Sequence, residues 1–503
     1  MEYDFDVVVL GSGAGGAAFA HRCARAGRRV LVIERGANPL QEFAPSDTDL
    51  RDERATLIDK RWYDDRTVTV NNANLRLFMG GVVGGGTALF GGAMIRPSID
   101  DFQPGKHYGD RLPRELWEWP VSYEALASYY DDAEKLYRVA GSADAGCAPL
   151  QACGRRNPHE LLPLAPINVR LIAANQAEGL RPFRLPLAID SGICERCDAC
   201  AGFLCTKGAR RSAAQVLDES ARSHSLQLMA NTEIENLQVG NRGRIDAVTV
   251  RDRSNGSVRS VRARAFASAA GAIGSPAILL RSGIDGPHIG RNYMMHYSPI
   301  AVGIFAQPTG ASETFVKQVG FADFYYGTPA LPRKMGLVQS LPAPGPLMMA
   351  KLGMKRWPRQ VLSFLRSRML LLAGIVEDLP NPTNRVEVGA NGAIRLRHDF
   401  SDFDRVRGKE LAREMRQILR RTGAIFQSAR AFPSREHVAH QCGTLRFGRD
   451  ARHAPVDADG RIFGHENLFV VDGSILPTST GVGPSLTITA LALRTADAAL
   501  AGI

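Results

Sequence analysis

The 503-residue sequence has no apolar stretch long enough to cross a bilayer. Its longest, Phe266 to Leu280, is interrupted by Gly271, Gly274, Ser275 and Pro276 and falls short of the ~20 residues a spanning helix needs. The N-terminal MEYDFDVVVLGSG is acidic and runs directly into a strand. It lacks the basic start and apolar core of a secretion signal, so a cytoplasmic protein without a transmembrane segment is expected. Basic residues are scattered in ones and twos, as at Arg28 and Arg29 or Arg420 and Arg421, and no basic run is interleaved with aromatics. That excludes the usual nucleic-acid footprint. Lys plus Arg number 62 against 51 Asp plus Glu, a formal charge of +11 carried mostly by arginine, which reads as a trait of composition rather than a binding patch. Internal repeats and low-complexity tracts are also missing. With 45% hydrophobic and 22% charged residues, the chain has the composition of a globular protein. It is long enough for roughly two or three domains, or one large domain with an inserted lobe, and has room for a buried cofactor. Nothing in it sets the oligomeric state.

Among what is present, FDVVVL (residues 5 to 10) is a continuous, β-branched apolar run suited to a strand buried on both faces of a parallel sheet. GSGAGGAAFAHRCARAG follows, with Gly11, Gly13 and Gly16 in G-x-G-x-x-G spacing and a small-residue face at Ala17, Ala18, Ala20, Cys23 and Ala24. The first glycine permits the tight turn, the second lets backbone approach a pyrophosphate, and the third lets helix and strand come close. The phosphates then rest on a helix N-terminus, where free N–H groups favour negative charge. A second run, RVLVIE, ends in Glu34, which is placed to accept from ribose hydroxyls. The expected contacts at this end are Gly11, Gly13, Ala14, Gly15, Gly16, Glu34 and Arg35. The motif indicates a dinucleotide without separating FAD from NAD.

MGGVVGGGTALFGGAMIRPSIDDF, Met79 to Phe102, is too rich in glycine for a helix or regular strand and too apolar for a solvated tip. It reads as backbone wrapped around a flat, bulky ligand. FASAAGAIGSPAILLRSGI (266 to 284) reads as a buried strand, a glycine turn and a short helix starting near Ser275 and Pro276. NLFVVDGSILPTSTGVGPSLTITALALRTADAAL gives a strand ending in Asp472 and a last helix from about Pro484.

These segments resemble the glucose-methanol-choline (GMC) oxidoreductases, FAD enzymes that oxidise alcohols and sugars. The resemblance covers almost the whole chain: the glycine loop with Glu34, the loop Val83 to Arg96, GAIGSPAILLRSGI, GRNYMMH (290 to 296), EDLPNPTNRV (377 to 386), HQCGTLRFG from His440, and VVDGSILPT with PSLTITALALRTAD. It implies an α/β chain with a Rossmann-like, discontinuous FAD-binding domain and a substrate domain built on a mostly antiparallel sheet with covering helices. The expected boundaries are 1–100, 190–297 and 436–503 for the first, and 101–189 with 298–435 for the second, including lid and connecting segments. Further cofactor contacts are implied at Gly84, Gly85, Thr87, Phe90, Gly91, Ala270, Asp472, Gly473, Pro484, Ser485 and Leu486. By resemblance, Asp472 and Gly473 approach the phosphates and ribityl chain, and Pro484 and Ser485 face the pyrimidine end of the flavin. His440 matches the catalytic histidine, which takes the hydroxyl proton as hydride leaves the same carbon for flavin N5. Imidazole suits that task, with an unperturbed pKa of ~6.5. Its partners are a small-molecule alcohol and oxygen or another electron acceptor. The subset with such motifs leans towards sugars, glycosides, aminoglycosides and cyclic polyols.

The chain departs from the family at three points. Where most relatives carry Asn-Pro or a second histidine before the final helix, it has Gly483-Pro484, leaving His296, His107 or a water as candidate partner for His440. Phe90 stands where some relatives have asparagine or tryptophan, and no histidine lies between Met79 and Phe102, so non-covalent FAD is expected. Third, Cys194, Cys197, Cys200 and Cys205, in C-x2-C-x2-C-x4-C spacing, resemble a Cys-rich segment of a bacterial and fungal subset. The spacing allows an iron–sulfur cluster, a zinc site, a Cys200–Cys205 disulfide clipping the loop, or a purely structural role. Two rival functions follow: a redox-neutral flavoprotein lyase, because Gly483 breaks the catalytic pair, and an electron-transferring dehydrogenase subunit with an iron–sulfur cluster. Elsewhere, 232–266 alternates as strands, MLLLAGIVE suits a central strand above the flavin, and the Met- and Pro-rich 342–369 reads as helical cover over the sheet, with lid, dimer contact or membrane-surface helix as alternatives.

Overall fold

The computed structural model describes residues 3–42, 52–142, 145–151, 159–197, 200, 202–205, 207–430, 436, 438 and 440–503. Its organising element is a parallel layer in the order Leu226–Met229, Val30–Ile33, Phe5–Leu10, Val258–Ser268, Leu468–Val470. Val7 to Leu10 are fully buried, as an apolar run covered on both faces must be. The segment 232–266 forms strands as its alternation predicts, and they extend this sheet: Thr232–Val239 and Ile245–Asp252 add antiparallel to the first half of Val258–Ser268.

Helices Ala14–Arg25 and Ser485–Leu500 pack side by side on the sheet. Their facing residues are small, among them Ala17, Ala18, Ala20, Ala490, Ala492 and Ala496, all fully buried, so the backbones come close. Helix Ala14–Arg25 also meets the end of strand Leu468–Val470 at Gly15, where an added Cβ would lie 1.5 Å from the Val471 carbonyl oxygen. No side chain fits there. The first and last segments of the chain therefore meet around the dinucleotide-type turn.

A second sheet is antiparallel, in the order Phe426–Arg430, Ile300–Ile304, Met369–Val376, Gly336–Leu341, Val319–Phe321, Phe183–Arg184. MLLLAGIV is an interior strand, as its unbroken apolar run predicts, and every residue of it is buried. Helix Asp402–Arg421 covers one face with Leu411, Met415, Ile418 and Leu419. The Met- and Pro-rich stretch breaks into short turns, Pro346–Met349 and Ala350–Met354, before helix Arg359–Arg366.

The helix expected from Ser275 begins four residues earlier, spanning Gly271–Arg281 with Pro276 inside it. Proline has no N–H, so the carbonyl of Ala272 loses its partner one turn back. Thr444 supplies the missing donor: its Oγ1 donates to Ala272 O at 2.7 Å. The pairing explains how an interior proline is tolerated and anchors the HQCGT segment to this helix. Thr444→Val is expected to lower stability by about 1–3 kcal/mol, the cost of a buried carbonyl left unsatisfied. The readout is a lower urea midpoint at unchanged m value; an unmoved midpoint contradicts the pairing.

Candidate active site

One cavity of about 1230 Å³ runs between the two sheets. Gly11, Gly13, Ala14, Gly15, Glu34 and Arg35 line one part of it; Gly85, Thr87, Phe90, Gly91 and Ala270 line the next; His440, Asp472, Gly473, Pro484 and Ser485 line another. Three residues expected as cofactor contacts do not reach its wall. Gly16 lies under the turn, where an added Cβ would sit 2.2 Å from the Gly11 carbonyl oxygen. Gly84, at φ 95°, donates its N–H to Ser12 Oγ at 3.0 Å, and Leu486 is wholly in the core.

The residues present fit FAD. Gly13 caps helix Ala14–Arg25 without a side-chain bond, and an added Cβ there would meet nothing within 4 Å. The helix N-terminus thus opens onto the cavity as a seat for a pyrophosphate. Glu34 accepts from the Ser12 and Gly36 N–H groups at 3.1 and 2.9 Å and from Ser12 Oγ at 2.5 Å. Burial raises its pKa against the pull of those bonds. Because Ser12 Oγ also receives the Gly84 N–H, one hydroxyl joins the two glycine-rich loops. Asp472 accepts from the Gly271 N–H at 2.8 Å, Ser275 Oγ at 2.5 Å and the Ser474 N–H at 2.8 Å. Its carboxylate organises the backbone around the cavity.

His440 sits at φ 62°, a strained value for a non-glycine residue of the kind found at functional sites. Its Nδ1 lies 2.8 Å from Nδ1 of His296, with the rings at 81°. His296 Nε2 lies 2.9 Å from the Thr480 carbonyl oxygen. A carbonyl only accepts, so that nitrogen carries a proton. Burial pushes the His296 imidazole down to about 4, which keeps the ring neutral and leaves Nδ1 as an acceptor. His440 must then donate from Nδ1, and its Nε2 holds the lone pair. That nitrogen looks towards Gly483, where an added Cβ would sit only 3.5 Å away. Of the expected candidates, His296 is therefore the partner of His440, but it stands behind the ring and is absent from the cavity wall. His107 instead stacks on Tyr326 at 4.7 Å.

Behind the pair lies a charge network with no motif of its own. Lys334 bridges Asp101 at 2.5 Å and Glu377 at 2.6 Å, all three side chains fully buried. Glu377 also accepts the Thr480 N–H at 3.0 Å and so holds the residue whose carbonyl orients His296. Tyr108 donates to Glu377 at 2.5 Å.

Of the alternatives open for the cysteines, the disulfide is excluded. Cys200 and Cys205 are free, so the disulfide between them is not formed. Among the described residues no group of three or more His, Cys, Asp or Glu is gathered to hold a metal ion. Cys194 and Cys205 sulfurs accept the Arg196 and Arg210 N–H groups at 3.4 Å, and Cys197 lines the cavity. Cys147, in no expected role, is disulfide-bonded. No helix among the described residues is long and apolar enough to cross a membrane.

Profiles of the GMC oxidoreductase family match residues 6–298 and 380–492. The chain belongs to this family. It is accordingly an FAD-dependent oxidoreductase of CH–OH donors. It is 30% identical to 6'''-hydroxyparomomycin C oxidase of Streptomyces lividus, over 98% of this chain and 91% of that protein. Paromamine 6'-oxidase of Streptomyces fradiae is also 30% identical, over the same shares. Among solved structures, pyridoxine 4-oxidase from Mesorbium loti superposes with a TM-score of 0.68 at 22% identity, covering 98% of each chain; at that identity the likeness concerns the fold.

The depressed His296 pKa sets a pH dependence. Between about 4 and the unfolded value near 6.5, the unfolded chain binds more protons at this residue than the native one, so stability rises with pH and levels off above 6.5. The effect is on the order of 3 kcal/mol. His21, also lowered to about 4 by burial, acts in the same direction. Stability measured from pH 7 to 4.5 is expected to fall, and His296→Asn to flatten part of that slope. An identical slope in the variant contradicts a neutral His296.

Proposed function

We propose that this GMC oxidoreductase oxidises an alcohol to the carbonyl with His440 Nε2 as base. The observation that carries the reading is the imposed tautomer: His296, neutral and tied to Thr480, accepts from His440 Nδ1 and leaves Nε2 to act. The missing side chain at 483 then reads as space for the substrate. A base directed this way removes the reason for a redox-neutral lyase, and among the described residues no metal-ligating group is gathered at the cysteines to support an electron-transferring cluster.

When bound, FAD supplies the two-electron acceptor for the hydride of the alcohol carbon. Gly11, Gly13, Ala14, Gly15, Glu34 and Arg35 would hold its adenosine and phosphates; Gly85, Thr87, Phe90, Gly91, Ala270, Asp472 and Gly473 would line its middle; Pro484 and Ser485 would face its ring, without a covalent bond. The unpaired N–H groups at the start of helix Ser485–Leu500 favour negative charge there. His440 receives the hydroxyl proton, and the imidazolium keeps its Nδ1–H on His296. His296 is a positioning residue. Segments 1–100, 190–297 and 436–503 act as the cofactor lobe, while 101–189 and 298–435 act as the substrate lobe, with Pro342 to Met354 lining the cavity as a lid.

The hydroxyl proposed is that of a sugar, glycoside, aminoglycoside or cyclic polyol, supported by relatives whose names give paromamine and 6'''-hydroxyparomomycin C as substrates. Oxygen or another acceptor takes the electrons, and the enzyme works in the cytoplasm. Anaerobic addition of a glycoside panel to the purified, yellow protein is expected to bleach the flavin with at least one member. His440→Asn is expected to keep the flavin and lose ~10²- to 10⁴-fold in bleaching rate. Bleaching at the wild-type rate would remove His440 from the role of base.

A further inference from the structure

The antiparallel sheet presents a mainly apolar surface to the cavity, including Val302, Leu341, Leu371, Ala373 and Ile375. Lys317 and Gln339 interrupt it. They are only 9% and 6% exposed, both line the cavity, and neither side chain has a hydrogen bond or ion pair among the described residues. Lys317 lies in the turn that leads into strand Val319–Phe321, where its neighbour Gln318 donates to Pro163 O at 2.7 Å while Lys317 lines the cavity. Gln339 pairs with Gly320 on the neighbouring strand. The lysine lies along the second glycine-rich loop, its Nζ 2.8 Å from where a Cβ on Gly91 would be.

Among the described residues nothing balances the ammonium. The described ionisable groups that act on Lys317 are Cys200 and Arg210, with no carboxylate among them. Burial holds the Cys200 thiol neutral by pushing it up to about 12. Arg210 is a second buried cation, and its Nη1 and Nη2 donate to the carbonyls of Cys200, Ala88 and Phe203. A buried charge without a partner is costly, and proteins normally pair it.

Building on the alcohol-oxidising reading of this cavity, we propose that Lys317 and Gln339 form a subsite for a carboxylate carried by the substrate. One carboxylate oxygen takes a charge-assisted bond from the ammonium and the other accepts from the amide NH₂. The apolar residues around them cover the carbon skeleton. The substrate is then an acidic glycoside or cyclic polyol, and a substrate that brings an ammonium to this point is repelled.

The test is isothermal titration calorimetry of the holoenzyme with cyclohexanecarboxylate, using cyclohexanecarboxamide as neutral control. Wild type is expected to bind the carboxylate more tightly. Lys317→Met should weaken the carboxylate by about tenfold or more, as for loss of one charge-assisted bond, and leave the carboxamide unchanged; Gln339→Leu should weaken both. Because burial lowers the Lys317 pKa to about 8, carboxylate binding to wild type should also weaken as pH rises through that value. That arm needs no substitution, and the Cys200 thiol, pushed up to about 12 by burial, stays neutral there. Equal affinity for the two probes in wild type would overturn the proposal. So would an unchanged carboxylate Kd in Lys317→Met; a flavin midpoint potential lowered in that same variant would put the cation's partner on the flavin. Failure of the alcohol-oxidising reading shows separately, as flavin that no alcohol bleaches.

Discussion

The arrangement depends on one hydrogen bond between two imidazoles. Two Nδ1 atoms at 2.8 Å cannot both be donors or both be acceptors, and the Thr480 carbonyl decides which is which by requiring the proton of His296 Nε2. Desolvation keeps His296 from taking a second proton. Tautomer control thus passes from a backbone carbonyl through one ring to the next, and no carboxylate is needed to orient the base. The carboxylate that does take part, Glu377, acts one step further back by fixing the Thr480 N–H.

The second constraint is closeness of backbones. The cavity is walled by segments far apart in the chain, and they can meet only where side chains are missing or small. Gly15 against Val471 and Gly11 against Ala269 are examples. Gly483 belongs to the same economy: a side chain there would stand against the His440 imidazole. What looked in the sequence like a lost partner is, on the proposed mechanism, access to the base.

Features that backbone mechanics dictate were legible in advance. G-x-G-x-x-G, Glu34 at the end of a strand, the final helix from Pro484 and the apolar run Met369–Val376 all fell where their patterns indicate, because each states its own geometry. The helix before Pro276 was misjudged because its compensation, Thr444, lies 168 positions away. Lys317, Gln339, Lys334 and Asp101 were invisible because no spacing rule links residues that only the folded chain brings to the cavity or its support. His296 was legible as a candidate but not in its role, since only coordinates show that it meets His440 from behind. The cysteine spacing suggested cluster or disulfide chemistry that the described residues do not assemble.

The central claim is a statement about two protons, so the most direct measurement observes them. Nitrogen-15 NMR of the histidine side chains in the holoenzyme near pH 7, assigned with His296→Asn and His440→Asn, reports the tautomer of each ring. The account predicts a neutral His296 protonated at Nε2 and a neutral His440 protonated at Nδ1. A His440 protonated at Nε2, or a His296 carrying both protons, would contradict it.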